Sequence, residues 1–196
     1  MSDDRMVWID TETFGLVPKE SPIIEVGIVI TDLDLRQIAG VSLKVWEPWY
    51  TLLLRDLKAK ADGGNKDAKF VYDMHESSGL WARAEKDGLP VAEAVTQLVA
   101  FLMNEDVDKT DPMCGSSIQF DRNMLDFYMP QVSEIFSYRN IDVSTVKELC
   151  RRYNPTIYSH LKTDVSAAFA HTVLSDIEDS ILEFQFYRDE FLMWKD

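Results

Sequence analysis

Residues 7–16, Val-Trp-Ile-Asp-Thr-Glu-Thr-Phe-Gly-Leu, constrain this chain more than any other stretch. An apolar run of β-type residues carries two carboxylates, Asp10 and Glu12, and a glycine-containing turn follows at once. Side chains alternate faces along a strand, so Asp10 and Glu12 project the same way. Like charges that close repel and desolvate each other unless a cation lies between them. The pattern is a natural first half of an oxygen-ligand site for Mg²⁺ or Mn²⁺. It also occurs by chance on solvated strand ends, so its meaning depends on whether the chain supplies further carboxylates and a base.

A chain of 196 residues suits one domain, residues 1–196, with a sizeable core. With 46% hydrophobic and 28% charged residues it has the composition of a soluble globular protein. No apolar run approaches the roughly 20 residues needed to cross a bilayer, and the acidic start, Met1-Ser2-Asp3-Asp4-Arg5, has no secretory h-region. Cys114 and Cys150 make neither a zinc pattern nor a disulfide framework, which fits a reducing cytoplasm. A net charge of −14 argues against binding long nucleic acid through many phosphate contacts. A short substrate held at two or three points remains compatible with that charge.

Three strands are expected first, over residues 6–10, 22–31 and 37–45, joined by short turns as an antiparallel meander. Helical patterning follows over 50–61 and 66–74, and residues 74–80 read as a turn-rich connection. Residues 91–103 form an amphipathic helix with Val91, Val95, Leu98, Val99 and Leu102 on one face. A short buried strand over 112–115 leads into a helix over 120–128, which Pro130 stops. Ile141 and its neighbours make a last strand, 146–152 a helix, and about 172–194 a long closing helix. Strands first, then helices interleaved with two short strands, indicate an α/β domain with a mixed sheet.

Three more residues qualify as partners for the first two acids. Asp121 falls in the first turn of a helix after a buried strand, where its carboxylate can be aimed over the sheet edge. Asp176 is early in the closing helix. For both, the plain alternative is an acid favoured by the helix dipole. His171 stands five residues before Asp176, at a helix entry where an imidazole can act as a general base near neutral pH.

The ordered set Asp10, Glu12, Asp121, His171 and Asp176 resembles the DEDDh family of 3′-to-5′ exonucleases. Within it, Asp121-Arg122-Asn123-Met124-Leu125, Tyr128-Met129-Pro130 and the run from Tyr138 through Asp142-Val143-Ser144-Thr145-Val146-Lys147-Glu148-Leu149 resemble the oligoribonucleases. Met74-His75-Glu76-Ser77-Ser78-Gly79-Leu80 and Asp176-Ile177-Glu178-Asp179-Ser180 do so too. Two departures stand out. Thr11-Glu12-Thr13-Phe14-Gly15-Leu16 replaces the usual Leu-Glu-Met-Thr-Gly-Leu and leans toward the proofreading branch, and the segment before His171 lacks the common Gly and Lys.

The resemblance implies a ribonuclease H-like mixed sheet flanked by helices, in a homodimeric 3′-to-5′ exoribonuclease that cleaves very short RNA. It implies two divalent ions, Mg²⁺ or Mn²⁺, held by Asp10, Glu12, Asp121 and Asp176, with Asp121 acting at the edge and His171 as general base. Ser117, Arg139, Ser144 and Thr145 would cap the substrate's 5′ phosphate, Leu16 and His75 would line the base pocket, and Tyr138 would reach in from a partner subunit. Thr145-Val146-Lys147-Glu148 also reads as a capping box that opens a helix, whose N-terminal N–H groups would be free for a phosphate. The alternatives are a DEDDh exonuclease acting on longer DNA or RNA, and an inactive module that sequesters short nucleotides.

Overall fold

The strand bearing Asp10 and Glu12 is the centre of the sheet in the computed structural model, which describes residues 5–164 and 172–192. Five strands, β1 (Arg5–Thr13), β2 (Ile23–Asp32), β3 (Gln37–Lys44), β4 (Met113–Gly115) and β5 (Asn140–Asp142), lie in the order β3-β2-β1-β4-β5. β1, β2 and β3 form the expected antiparallel meander. β4 and β5 add parallel strands on the other side of β1, so the sheet is mixed.

β1 is covered on both faces, which is why its first half is a nearly unbroken apolar run. Val7 and Ile9 enter one core, packed by α1 (Tyr50–Asp62), α2 (Lys66–Ser77), α3 (Leu80–Asp87), α4 (Val91–Asn104), α5 (Gln119–Tyr128) and α6 (Pro130–Ser133). Met6 and Trp8 enter the other, packed by α7 (Val143–Tyr153), α8 (Pro155–Asp164) and α9 (Val173–Tyr187). Trp8 anchors α9: its ring meets Phe184 edge-on at 5.6 Å, and its Nε1–H donates to Thr31 Oγ1 at 3.1 Å. Burial of each such large apolar side chain contributes roughly 1.5–3 kcal/mol.

Several local expectations need correction. Residues 74–77 are the last turn of α2 and not a loop; the chain turns only at Ser78-Gly79, where Gly79 has φ 70°. α3 then packs Leu80, Trp81 and Ala84 into the core, a stripe too short to show as periodicity. Pro155 opens α8, since the first helical position needs no N–H. The closing helix is regular to Tyr187 and widens into a π-helical turn over Arg188–Leu192.

The capping box at Thr145 is also overturned. α7 begins earlier, at Val143, because Asp142 caps it: the Asp142 carboxylate accepts from Ser144 N at 3.1 Å and from Thr145 Oγ1 at 2.8 Å. An aspartate that ends a strand is the stronger cap, and it turns the Thr145 hydroxyl into a donor toward itself. Among the described residues, no helix is long and apolar enough to cross a membrane.

Candidate active site

Beyond Trp8, the face of β1 that packs under α9 changes from apolar to acidic at Asp10 and Glu12. α9 brings the third acid. Its start is fixed by a reciprocal cap, in which Ser175 N donates to Thr172 Oγ1 at 3.3 Å and Thr172 N donates to Ser175 Oγ at 3.2 Å. One residue on, Asp176 meets the strand acids: ligand oxygens of Asp10, Glu12 and Asp176 all lie within 4.8 Å of one another.

Without a cation this grouping is costly. Burial first, then the charges of Asp176, Glu25 and Asp121, pushes Glu12 up to about 8. Burial, followed by Asp121 and Glu12, holds Asp10 well above the usual carboxylate range. An ion with a preference for hard oxygen ligands would remove that cost by taking the place of the protons. Three converging carboxylates, with no His or Cys in the group among the described residues, fit a hard divalent cation and not zinc in a structural site.

Asp121 is placed differently. β4 pairs with β1 only at Val7 and Trp8, so the edge of β1 beyond them has no strand beside it. Asp121, in the first turn of α5, takes that edge: its Oδ1 accepts from Thr11 N at 2.9 Å and from Thr11 Oγ1 at 2.7 Å. Burial pushes its carboxyl up to about 7, against the lowering effect of those bonds. Asp121 is near enough to raise Asp10 but is not one of the three acids whose oxygens converge. His171 lies outside the described residues.

Next to Glu12 opens a cleft of about 430 Å³ with Leu16, Leu57, Phe70, Met74 and Phe120 among its walls. Leu16 is 78% exposed on this cleft. His75, expected beside it, does not line it. The ring is fully buried, edge-on to Trp81 at 4.8 Å. Its Nε2–H donates to Thr13 O at 2.9 Å, and its Nδ1 lies 3.7 Å from Glu12 Oε2. A carbonyl only accepts, so the proton is on Nε2. His75 sits at an extra turn of α2, which carries it behind the strand end that bears Glu12.

The residues expected to cap a phosphate gather around Asp142, where β5 ends. Asp142 Oδ1 accepts from Ser117 N at 2.9 Å, and the Ser117 and Ser144 hydroxyls are 3.0 Å apart. With Thr145 Oγ1 also on Asp142, three of the four converge. The N–H of Ser144 is already used by Asp142, so of the N–H groups expected to be free at the helix start this one is taken. Arg139 is exposed, and its guanidinium stands 5.2 Å from the centre of the Tyr138 ring. Tyr138 is 82% exposed and takes no part in lining its own chain's Leu16 cleft. Two contacts join these segments to α9: Lys147 Nζ to Glu183 Oε1 at 2.9 Å, and Ser180 Oγ to Ser116 Oγ at 3.1 Å.

Three residues of the site escaped the sequence reading. Thr11, between the two acids, holds Asp121 from the opposite face of the strand. Glu25 is buried directly across from Glu12 in the β1–β2 ladder. Gly27 faces Asp10, under the start of α9. An acid and a glycine inside an otherwise β-branched strand were the available signals.

Residues 7–184 match the RNase T-type family model described as Exonuclease. The oligoribonuclease of Marinobacter nauticus is 38% identical over 189 residues, covering 96% of each chain. That of Burkholderia lata is 39% identical over 191 residues, covering 96% of this chain and 84% of its own. Among solved structures, exonuclease I from Methylocaldum szegediense superposes with a TM-score of 0.60 at 19% identity, over 96% of this chain and 41% of that one. A zinc-bound E. coli ExoI–ssDNA complex gives 0.62 at 16% identity, over 97% and 42%. The chain thus spans about two-fifths of those exonucleases, and at that identity the likeness is one of fold. With acids in the order of a DEDDh nuclease on a ribonuclease H-like sheet, and curated relatives matched over nearly their full length, this chain belongs to the oligoribonuclease family of exonucleases.

Proposed function

We propose that this enzyme is a 3′-to-5′ exoribonuclease that degrades RNAs of two to a few nucleotides to mononucleotides. The observation that carries this is the convergence of Asp10, Glu12 and Asp176 within 4.8 Å, in a chain whose curated relatives are oligoribonucleases. Two divalent ions, Mg²⁺ or Mn²⁺, would supply charge neutralisation at the phosphate, an activated water and a stabilised leaving oxygen. Asp10, Glu12 and Asp176 hold the ions, and Asp121 acts from the strand edge. His171 takes the proton of the attacking water.

At the far end, the hydrogen-bonded Ser117–Ser144 hydroxyl pair has one O–H left to donate to the 5′ phosphate, Thr145 offers its backbone N–H because its hydroxyl is held by Asp142, and Arg139 adds a charged contact. Leu16 meets a base. In a homodimer Tyr138 extends into the neighbouring subunit's cleft, which its exposure supports. A cap at one end and carboxylates at the other limit substrate length, which suits a protein of charge −14 that has no need of a long basic groove. Two buried, unpaired cysteines support a cytoplasmic setting.

The test is turnover of 5′-phosphorylated RNAs of two to about ten nucleotides with Mn²⁺ and with excess chelator. Fastest cleavage of the dinucleotide and complete loss in chelator are expected. Full activity in chelator overturns the metal scheme. Preference rising with length overturns the short-RNA assignment in favour of a trimming or proofreading exonuclease, toward which Thr11-Glu12-Thr13-Phe14-Gly15-Leu16 leans. In His171→Ala, kcat should fall roughly 10²–10⁴-fold with metal affinity retained in calorimetry; lost metal binding would make His171 a ligand.

A further inference from the structure

Glu25 is a charged residue in a strand whose other members are nearly all apolar, and it is only 4% exposed. It pairs with Glu12 across the β1–β2 ladder, just as Gly27 pairs with Asp10. Directly opposed residues on neighbouring strands share a face. Glu25 therefore projects to the side of the sheet where Asp10, Glu12 and Asp176 converge. One of its oxygens is accounted for: Oε1 accepts from Ser42 Oγ on β3 at 2.7 Å. The other, Oε2, is buried with no hydrogen-bond partner among the described residues.

A buried carboxylate oxygen without a donor is costly, and a strand surrounded by Ile and Val would hold an apolar residue there at no such cost. The missing partner must be a donor, because a carboxylate oxygen accepts. Ser42 is spent on Oε1, and Lys44, across from Glu25 on β3, makes no ion pair with it among the described residues. The converging acids Asp10, Glu12 and Asp176 have no proton to donate once an ion has taken the protons' place. Mg²⁺ dehydrates reluctantly and keeps several waters when carboxylates bind it, and those waters are strong donors that need acceptors beyond the ion's own ligands. Outer acceptors of this kind orient the ligands and contribute to affinity.

We infer that Glu25 is a positioning residue whose Oε2 accepts a hydrogen bond from the hydration shell of an ion held by Asp10, Glu12 and Asp176, while Ser42 fixes its Oε1. This rests on the metal dependence proposed above. Glu25 touches neither the scissile phosphate nor, directly, the ion.

The test is Glu25→Gln, which keeps the shape and an oxygen to accept from Ser42 but replaces one acceptor with a donor. Mn²⁺ binding is read by calorimetry on the full chain at fixed pH, beside wild type and Asp10→Asn. The expected result is a roughly 10–100-fold weaker affinity with the metal-free melting temperature within a few degrees of wild type. Glu25→Asp, which keeps the charge and loses the reach, should weaken binding likewise and serves if Glu25→Gln does not fold. Unchanged affinity in the folded variant overturns the inference and leaves Glu25 as a strap for β3. Loss as complete as in Asp10→Asn also overturns it, by making Glu25 a direct ligand. Wild-type protein that binds no Mn²⁺ would overturn the metal scheme itself, an outcome separate from either.

Discussion

Val173 packs against Gly27 so closely that a Cβ there would lie 2.8 Å from Val173 Cγ2 and 2.9 Å from its Cβ. The same added atom would lie 3.1 Å from Ile177 Cδ1. Val173 and Ile177 flank Asp176 on the first turns of α9, and Gly27 faces Asp10 across the ladder. The glycine is what lets the helix settle low enough for Asp176 to reach the strand acids. Gly27→Ala should therefore cost about 1–3 kcal/mol of stability through overpacking. It should lower kcat by roughly 10²-fold, as a displacement near 1 Å does. Adding Val173→Ala should recover most of the activity, since it vacates the space that the new methyl needs. Normal kcat in the single variant would show that α9 tolerates the shift.

The acids also set how stability responds to pH. Glu12 is raised from 4.5 to about 8, and Asp121 from 3.8 to about 7. A raised acid holds its proton in the folded protein at pH values where the unfolded chain has lost it. Between these limits the folded state binds more protons, so stability falls as pH rises. The metal-free protein should be most stable near pH 4–5 and lose stability up to about pH 8. With saturating Mn²⁺ the trend should weaken or reverse, because the ion binds the deprotonated carboxylates. Thermal melts across this range, with and without metal, check both arms; a metal-free profile that rises from pH 5 to 8 would contradict the arrangement.

Thr11 offers a narrower test of Asp121. Its hydroxyl and N–H both donate to Asp121 Oδ1 and both hold the carboxyl below where burial alone would put it. Thr11→Val keeps the shape and the N–H and removes the hydroxyl. The Asp121 carboxyl should then titrate higher than about 7, read by carboxyl carbon NMR in the metal-free protein. Activity should fall several-fold at pH 7 and recover toward pH 9. An unmoved titration would mean that the Thr11 hydroxyl contributes nothing to Asp121.

The central strands were legible because two-sided burial writes itself as a β-branched run, and β1 and β2 are buried almost throughout. That Asp10 and Glu12 share a face was legible because strand alternation is a local property, whereas Asp176, by position alone an ordinary helix-start acid, was picked out by the resemblance to DEDDh exonucleases. What stayed hidden depends on contacts between distant segments. His75 reads as part of a turn-rich connection, and by resemblance as a wall of the base pocket, until α2 is seen to run a turn further and bury it behind Glu12. Asp142 outcompetes Thr145 as a cap only because β5 ends there. Glu25 has no meaning without the register that sets it opposite Glu12.

Tyr138 is 82% exposed and does not line its own chain's Leu16 cleft. A large aromatic left in water beside Arg139, and next to the strand that leads into α7, is suited to stack on a base presented by another molecule. If it completes the neighbour's cleft in a homodimer, the stacking contributes ~1–3 kcal/mol. Tyr138→Ala should then lower dinucleotide turnover about 10–100-fold, the same energy read as a rate ratio, without changing Mn²⁺ affinity or the melting temperature. His171→Ala should be poorly active for a different reason, the loss of its base. Mixing the two chains separates a shared tyrosine from one that acts within its own chain. In a mixed dimer, the subunit that retains His171 faces a neighbour that retains Tyr138, so one of its two sites is whole. Activity should reappear on mixing, approaching a quarter of wild type when equal amounts exchange at random, because half of the dimers are mixed and each has one intact site of two. If Tyr138 acts within its own chain, no subunit in the mixture carries both residues, and the mixture stays as inactive as its parts. No recovery, with mixed dimers confirmed by mass spectrometry, would place the tyrosine's role within a single subunit.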